Sequence, residues 1–204
     1  VQFESGVNGN SEGSRACQKF SPSGTVSGAL GHNLPTKEVY GLFADNDKRK
    51  SAYFIVTKNG VIGTGKLKQT SATVADGGSN IIVLRYADVL LMLAECYAEK
   101  NNMPKSNEYL NFIKKRAGID EVSLVDAALI KEEIALERRK ELVNEGHRWF
   151  DLVRTGKAVE VMNAYFARTP GYNGITISEL NYVQPIPQGQ IDTDSATKQN
   201  EGYN

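Results

Sequence analysis

The stretch from Glu137 to Arg154, ERRKELVNEGHRWFDLVR, sets an acid or a base beside almost every apolar residue and holds the only tryptophan of the chain. Paired carboxylates can do general acid and base work when one of them is poised near neutral pH in a cleft. So many arginines keep carboxylates ionised instead, which suits a lattice of salt bridges. At helical spacing Ile134, Arg138 and Leu142 form one row, and Leu142, Glu145 and Trp149 continue it if the helix persists through Gly146. The charges then lie inside the apolar stripe. An unpaired buried charge costs several kcal/mol, so Arg138 and Glu145 require partners, either Glu141 and Arg148 nearby or groups on another helix. Residues 131–160 carry seven basic and seven acidic side chains, enough for complete pairing. Arg138, Glu141, Glu145, Arg148 and Asp151 are therefore read as a structural charge network, and no residue is assigned as catalytic.

Other chemistry-bearing patterns fail on their surroundings. GNSEG at Gly9 to Gly13 has the G-x-S-x-G spacing of a hydrolase nucleophile elbow, but it sits among Gly and Asn where a strand and a helix are needed. GVIGTGKL at Gly60 to Leu67 approaches a phosphate-binding loop, yet Leu67 stands where a hydroxyl must meet Mg²⁺, so a turn between two short strands accounts better for the glycines. Neither H-E-x-x-H nor paired E-x-x-H occurs, and Glu145 and His147 are two apart and face different sides of a helix. Asp45 and Asp47 are read as solvated turn residues. No metal and no cofactor is expected.

Lys+Arg and Asp+Glu both number 24. Such a balance gives the whole chain no electrostatic pull toward nucleic acid or an anionic membrane surface, so any partner must be recognised locally. The longest apolar run, Ile81 to Ala94, is interrupted by Arg85 and Asp88 and falls short of the ~20 residues that span a bilayer. Two cysteines, Cys17 and Cys96, are too few for a disulfide framework, and Cys96, within an apolar helical pattern, is expected to be inert core. The chain begins VQFES without an initiator Met, a basic n-region or an apolar h-region, so a processed or excised piece without its targeting segment is expected. SRAC at Cys17 lacks the apolar run that lipid attachment requires.

The elements around these residues divide by composition. Residues 1–80 are rich in Gly, Ser and Asn, with short apolar runs such as Ala52 to Val56 and Val61 to Ile62, and predict a loop-rich segment with a few short strands. Residues 81–204 change to helical periodicity, with Tyr86, Leu90, Leu93 and Tyr97 on one stripe and Ala87, Leu91, Ala94 and Ala98 beside it, an arc wide enough to be buried. A second helix runs from about Lys105 to Ala117 with Gly118 as its stop, completing a tetratricopeptide-like hairpin. A third is expected from Ser123–Asp126 to Glu145, a fourth over Arg148 to Arg154, and a short one over Ala158 to Phe166. Beyond Pro170 an irregular tail packs along a surface, since Pro185 and Pro187 cannot serve a central strand. The expected fold class is mainly α.

RYADVLLMLAE at 85–95, LNFIKKRAG at 110–118, ERRKEL at 137–142, EGHRWFDLVRTG at 145–156 and PIPQ at 185–188 come in an order that resembles the C-terminal part of the SusD/RagB family. The resemblance implies a helical fold in which tetratricopeptide hairpins are scaffold and irregular loops supply the ligand site. It further implies a lipid-anchored protein of the outer membrane and cell surface that binds a nutrient, an oligosaccharide or peptide, and hands it to a TonB-dependent, SusC-like barrel. This chain would lack the anchor and be soluble. The matched blocks are scaffold and carry no ligand residue.

Sugar capture stacks the apolar face of a pyranose on an aromatic ring and hydrogen-bonds its hydroxyls to amides and charged groups. Among the polar loops Phe20, His32, Asn33 and Tyr40 offer those chemistries, and residues 1–80 are the expected ligand-facing region. Two other readings stand beside a non-enzymatic binding subunit: a helical-repeat domain that binds another protein, and a glycan hydrolase using the carboxylates of the charged helix.

Overall fold

The computed structural model describes residues 13–67, 75–194 and 196–203. Gly9 to Glu12 of the serine motif and Lys68 to Val74 after the glycine-rich turn lie outside them. The fold is mainly α, and the chain divides into two compact units, Val1–Gly146 and His147–Asn204. No helix of the described residues is long and apolar enough to cross a membrane.

Among the described residues the first unit has three short helices, α1 (Ala16–Phe20), α2 (Lys37–Gly41) and α3 (Lys48–Tyr53), where the composition suggests only loops and strands. Two of them carry legible N-caps. Thr36 accepts from Val39 N at the start of α2, and Asp47 accepts from Arg49 N at the start of α3, each satisfying a helix donor that would otherwise be orphaned. The strands β1 (Phe54–Val56) and β2 (Ile62–Thr64) pair antiparallel with Phe54 opposite Thr64. Gly60, at φ 76, makes the turn between them. Phe43, Phe54 and Ile62 form a small core beneath this hairpin, with Phe54 edge-on to Phe43 and to Tyr40 at centroid distances of 4.9 and 5.2 Å.

Three long helices follow: α4 (Tyr86–Glu99), α5 (Met103–Ala117) and α6 (Ala127–Glu141). Asn102 caps α5 by accepting from Lys105 N, and Gly118 at φ 74 ends it. Small residues let α4 and α5 approach closely: Ala94, Ala98 and Ser106 are all but inaccessible, and Ser106 Oγ donates to Ala94 O at 2.7 Å. A serine at this position, where an alanine is usual in the repeat, thus stitches the hairpin. Leu90, Leu91, Leu110, Ile113, Ile130 and Ile134 fill the three-helix core, each such side chain contributing roughly 1.5–3 kcal/mol. The segment joining α5 to α6 is clamped by two amides one helical turn apart. Asn107 exchanges two hydrogen bonds with the backbone of Leu124, and Asn111 two with that of Val122.

Three expectations require correction. Cys96 is exposed, because it lies on the face of α4 opposite Leu91, Ala94 and Ala98, whereas Cys17 is the buried cysteine. The outer face of α4 is not covered either: Tyr86 is 74% exposed and Leu84, just before the helix, equally so. Finally α6 stops at Glu141. Asn144 and Gly146 adopt φ 61 and 85, so Glu145 leaves the helical row and sits in a turn.

The second unit contains α7 (His147–Arg154), α8 (Ala158–Arg168), a 3₁₀ turn at Glu179–Tyr182 and α9 (Gln188–Thr193). Trp149 packs edge-on to Tyr182 at 6.2 Å, and the ring of Phe166 stacks on that of Tyr172. The tail folds back on itself. Gln199 exchanges two hydrogen bonds with the backbone of Ile186, between the two prolines, and Tyr203 OH donates to Val183 O.

Candidate functional site

A cavity of about 540 Å³ opens in the first unit, within the size range of small-ligand sites. Phe20 at the end of α1, Leu67 after β2, and Ile81 and Ile82 before α4 give it apolar walls. Amides from three separate segments, Asn33, Asn80 and Asn144, add hydrogen-bonding groups. Tyr53, Lys66, Arg85 and Glu145 close one side.

That charged side is the face of a buried lattice centred on Glu141, whose side chain is inaccessible to solvent. Glu141 Oε1 accepts from Arg85 Nη1 at 2.6 Å, Arg116 Nη2 at 2.5 Å and Tyr53 OH at 3.1 Å, while Oε2 accepts from Arg49 Nη1 at 2.9 Å. Its backbone carbonyl accepts from both Lys66 Nζ and Arg85 Nη2. Arg49 continues to Asp47 and Glu137, and Lys140 reaches the same two carboxylates. At the cavity, Glu145 Oε1 receives Lys66 Nζ and Arg85 Nη2, and Oε2 receives Arg85 Nε at 2.7 Å. Among the described residues, the connected set thus joins the cations Arg49, Lys66, Arg85, Arg116 and Lys140 to the carboxylates Asp47, Glu137, Glu141 and Glu145, a surplus of one positive charge.

Burial pushes the Glu141 carboxyl up, but the hydrogen bonds and charges of Arg116 and Arg85 outweigh it and hold the group down at about 2. Such a carboxylate is a fixed anion at neutral pH and cannot serve as a proton donor there. Desolvation pushes the Lys66 ammonium down to about 8, with the Arg85 charge adding to it against the pull of Glu145. Lys66 also lies 3.9 Å from the centroid of the Tyr53 ring. Burial, then the Glu141 charge, pushes the Tyr53 phenol up to about 12.

The residues singled out by sequence fall in different places. Phe20 and Asn33 line the cavity together. His32, next to Asn33, is exposed and outside its lining, its backbone N–H donating to Lys19 O at 2.8 Å. Tyr40 belongs to the small core under the hairpin, with Lys50 Nζ 5.1 Å from its ring centroid. Arg138 pairs with Asp88 of α4 at 2.8 Å, while Glu145 takes Lys66 and Arg85. Arg148 and Asp151 belong to the second unit, where Asp151 meets Arg154 at 2.9 Å. Asp45 is solvated and held by Lys50, whereas Asp47, expected to be solvated too, is buried, because it caps α3 and pairs with Arg49.

Sequence reasoning missed Arg49, Lys66 and Arg85. A signal existed for Arg85, a cation at the N-terminal edge of an apolar helix, where a guanidinium drawn out of water requires a carboxylate from elsewhere in the chain.

Residues 37–203 match the family model described as the SusD family. SusD-like protein P25 of Formosa agariphila is 26% identical over 96% of this chain and 39% of its own length. Among solved structures, surface glycan-binding protein A from Bacteroides uniformis superposes with a TM-score of 0.77 at 26% identity, covering 92% of this chain and 47% of that one. Surface glycan-binding protein A from Bacteroides thetaiotaomicron, in complex with laminarihexaose, gives 0.75 at 27% identity, covering 92% and 46%. A SusD superfamily protein from Parabacteroides distasonis gives 0.81 at 25% identity over the whole chain and 49% of its own. The chain spans less than half the length of each of these proteins.

Proposed function

The chain belongs to the SusD family, and on that premise we propose that it is part of a non-enzymatic glycan-binding protein of a bacterial cell surface. The observation that carries this reading is the likeness over 92% of the chain to a surface glycan-binding protein in complex with laminarihexaose. The cavity supports it chemically. Phe20 offers a ring for the apolar face of a pyranose, and the amides of Asn33, Asn80 and Asn144 offer donors and acceptors for hydroxyls. A binding role in place of hydrolysis is supported by Glu141, a carboxylate closed in ion pairs and ionised far below neutral pH.

The finer role is delivery. The parent protein, lipid-anchored at the outer membrane, passes its oligosaccharide to a TonB-dependent, SusC-like barrel. That partner rests on family membership. Calorimetric titration of the chain with a panel of oligosaccharides tests the binding role, and Phe20→Ala is expected to weaken whichever ligand binds. Recovery of a TonB-dependent barrel with the parent from detergent-solubilised outer membranes tests delivery. A soluble parent without a barrel would sink it.

A second reading, a helical scaffold that docks another protein, is favoured by the exposed apolar stretch Ile81 to Leu84 and the neighbouring Tyr86. It takes the lead if no oligosaccharide binds.

A further inference from the structure

The charge on the cavity wall narrows the kind of glycan, an argument that rests on the glycan-binding reading. Among the described residues, three side chains charged at neutral pH line the cavity, the cations Lys66 and Arg85 and the anion Glu145. Both cations converge on the same Oε1 of Glu145. The lattice behind does not cancel the excess, because Glu141, which also answers Arg85, is shared with Arg49 and Arg116. Among the described residues, the wall and the whole lattice therefore both hold one cation more than they hold carboxylates.

Donor capacity is left over at the same place. A guanidinium has five N–H donors, and Arg85 uses four, leaving one on Nη1 without a partner among the described residues. Its side chain is 20% exposed and that of Lys66 14%, so both are reachable from the cavity while largely withdrawn from bulk water. In such a setting an anion is held more strongly than at an open surface, and a charge-assisted hydrogen bond is about twice as strong as a neutral one.

We infer that this cavity takes an acidic oligosaccharide, one whose sugar residue beside Lys66 and Arg85 carries a carboxylate or a sulfate ester. The anion completes the charge balance of the wall and accepts the remaining Arg85 N–H, while the sugar ring lies toward Phe20. A hydroxyl in its place would leave the surplus cation unanswered. Burial first, and then the Arg85 charge, depresses the Lys66 ammonium, and an anion seated beside it would raise it again. The groups facing it are Glu145, Arg85, the Glu141 carbonyl and the neutral Tyr53 phenol.

The test is calorimetric titration of the folded chain with three oligosaccharides of equal length: a neutral glucan, a polyuronate and a sulfated galactan. At least one acidic probe is expected to bind about tenfold tighter than the neutral one, with the advantage shrinking as salt is raised and as pH rises from 7 to 9. Preference for the uronate assigns a carboxylate, and preference for the sulfated probe assigns a sulfate. Lys66→Met should abolish the preference. Because Lys66 also holds the lattice, Asn33→Asp is the second variant, placing a carboxylate on the exposed rim and lowering the ratio of acidic to neutral affinity about tenfold. Neutral binding equal to or tighter than both acidic probes, or a ratio unmoved by Asn33→Asp, overturns this inference and leaves the glycan reading standing. Binding of none of the three overturns both.

Discussion

Arg49 Nη1 lies 2.9 Å from Glu141 Oε2 across 92 positions of sequence, and both side chains are almost wholly removed from solvent. The contact ties α3 to the end of α6, and through Glu141 it ties both to Arg85 at the cavity. The chemistry of the wall and the stability of the first unit are therefore one problem.

Removing the hub leaves buried cations without a counter-charge. Glu141→Ala is expected to destabilise the chain by about 3–5 kcal/mol, the usual result of breaking a buried pair from one side. Urea denaturation of the variant measures it. A change below about 1 kcal/mol would mean that water reaches Arg49 and Arg85 freely.

The same carboxyl makes stability depend on acid. Glu141 titrates at about 2 when folded, against 4.5 as its ordinary value, so the folded state binds its proton less readily than the unfolded one. Its contribution is present above pH 4.5 and is lost as pH falls from 4.5 to 2, a difference of about 3 kcal/mol. Thermal melts across that window should show the loss in the wild type and a shallower slope in Glu141→Gln.

Lys66 acts in the opposite sense at the alkaline end. Its folded value of about 8 lies below the ordinary 10.5, so between those values the unfolded chain holds the proton more tightly. Stability from this group rises with pH from 8 to 10.5, and at neutral pH keeping the ammonium charged in the fold costs about 3 kcal/mol relative to the unfolded chain. Chemical denaturation from pH 7 to 10 should show this rise in the wild type and not in Lys66→Met. Parallel curves would place the lysine in a wetter site.

Two aromatics that look alike in sequence should behave differently. Phe20→Ala is expected to weaken ligand binding about tenfold, a loss of roughly 1.4 kcal/mol, with little change in melting temperature. Tyr40→Ala should lower stability by about 1–3 kcal/mol and leave affinity unchanged, because its ring packs on Phe54. Titration and melting of both variants separate the roles, and a reversal would move the ligand to the hairpin side.

The long helices were legible because helical periodicity and caps are local. Leu90, Leu91 and Ala94 mark the buried face of α4, Asn102 and Gly118 bracket α5, and Asp126 starts α6. The short helices α1, α2 and α3 were not legible as helices, since five or six residues show no period, although Thr36 and Asp47 were cap residues in plain view. The end of α6 is not legible because Asn144 takes a left-handed conformation that its residue type permits but does not demand.

The mainly helical fold, the hairpin of α4 and α5 and the need for charge pairing at Arg138 and Glu145 are all contained in the residue pattern. Those follow from spacing within one element and from the high free energy of an unpaired buried ion. Only the tertiary structure decided which charges meet, since Arg49, Lys66 and Arg85 lie between 56 and 92 residues from the Glu141 and Glu145 groups they bond. It likewise set Phe20 and Asn33 on one cavity and Tyr40 in a core apart from it. The charge of a carboxylate does not by itself tell one arginine in the chain from another, so the choice among them belongs to the packing of the elements that carry them.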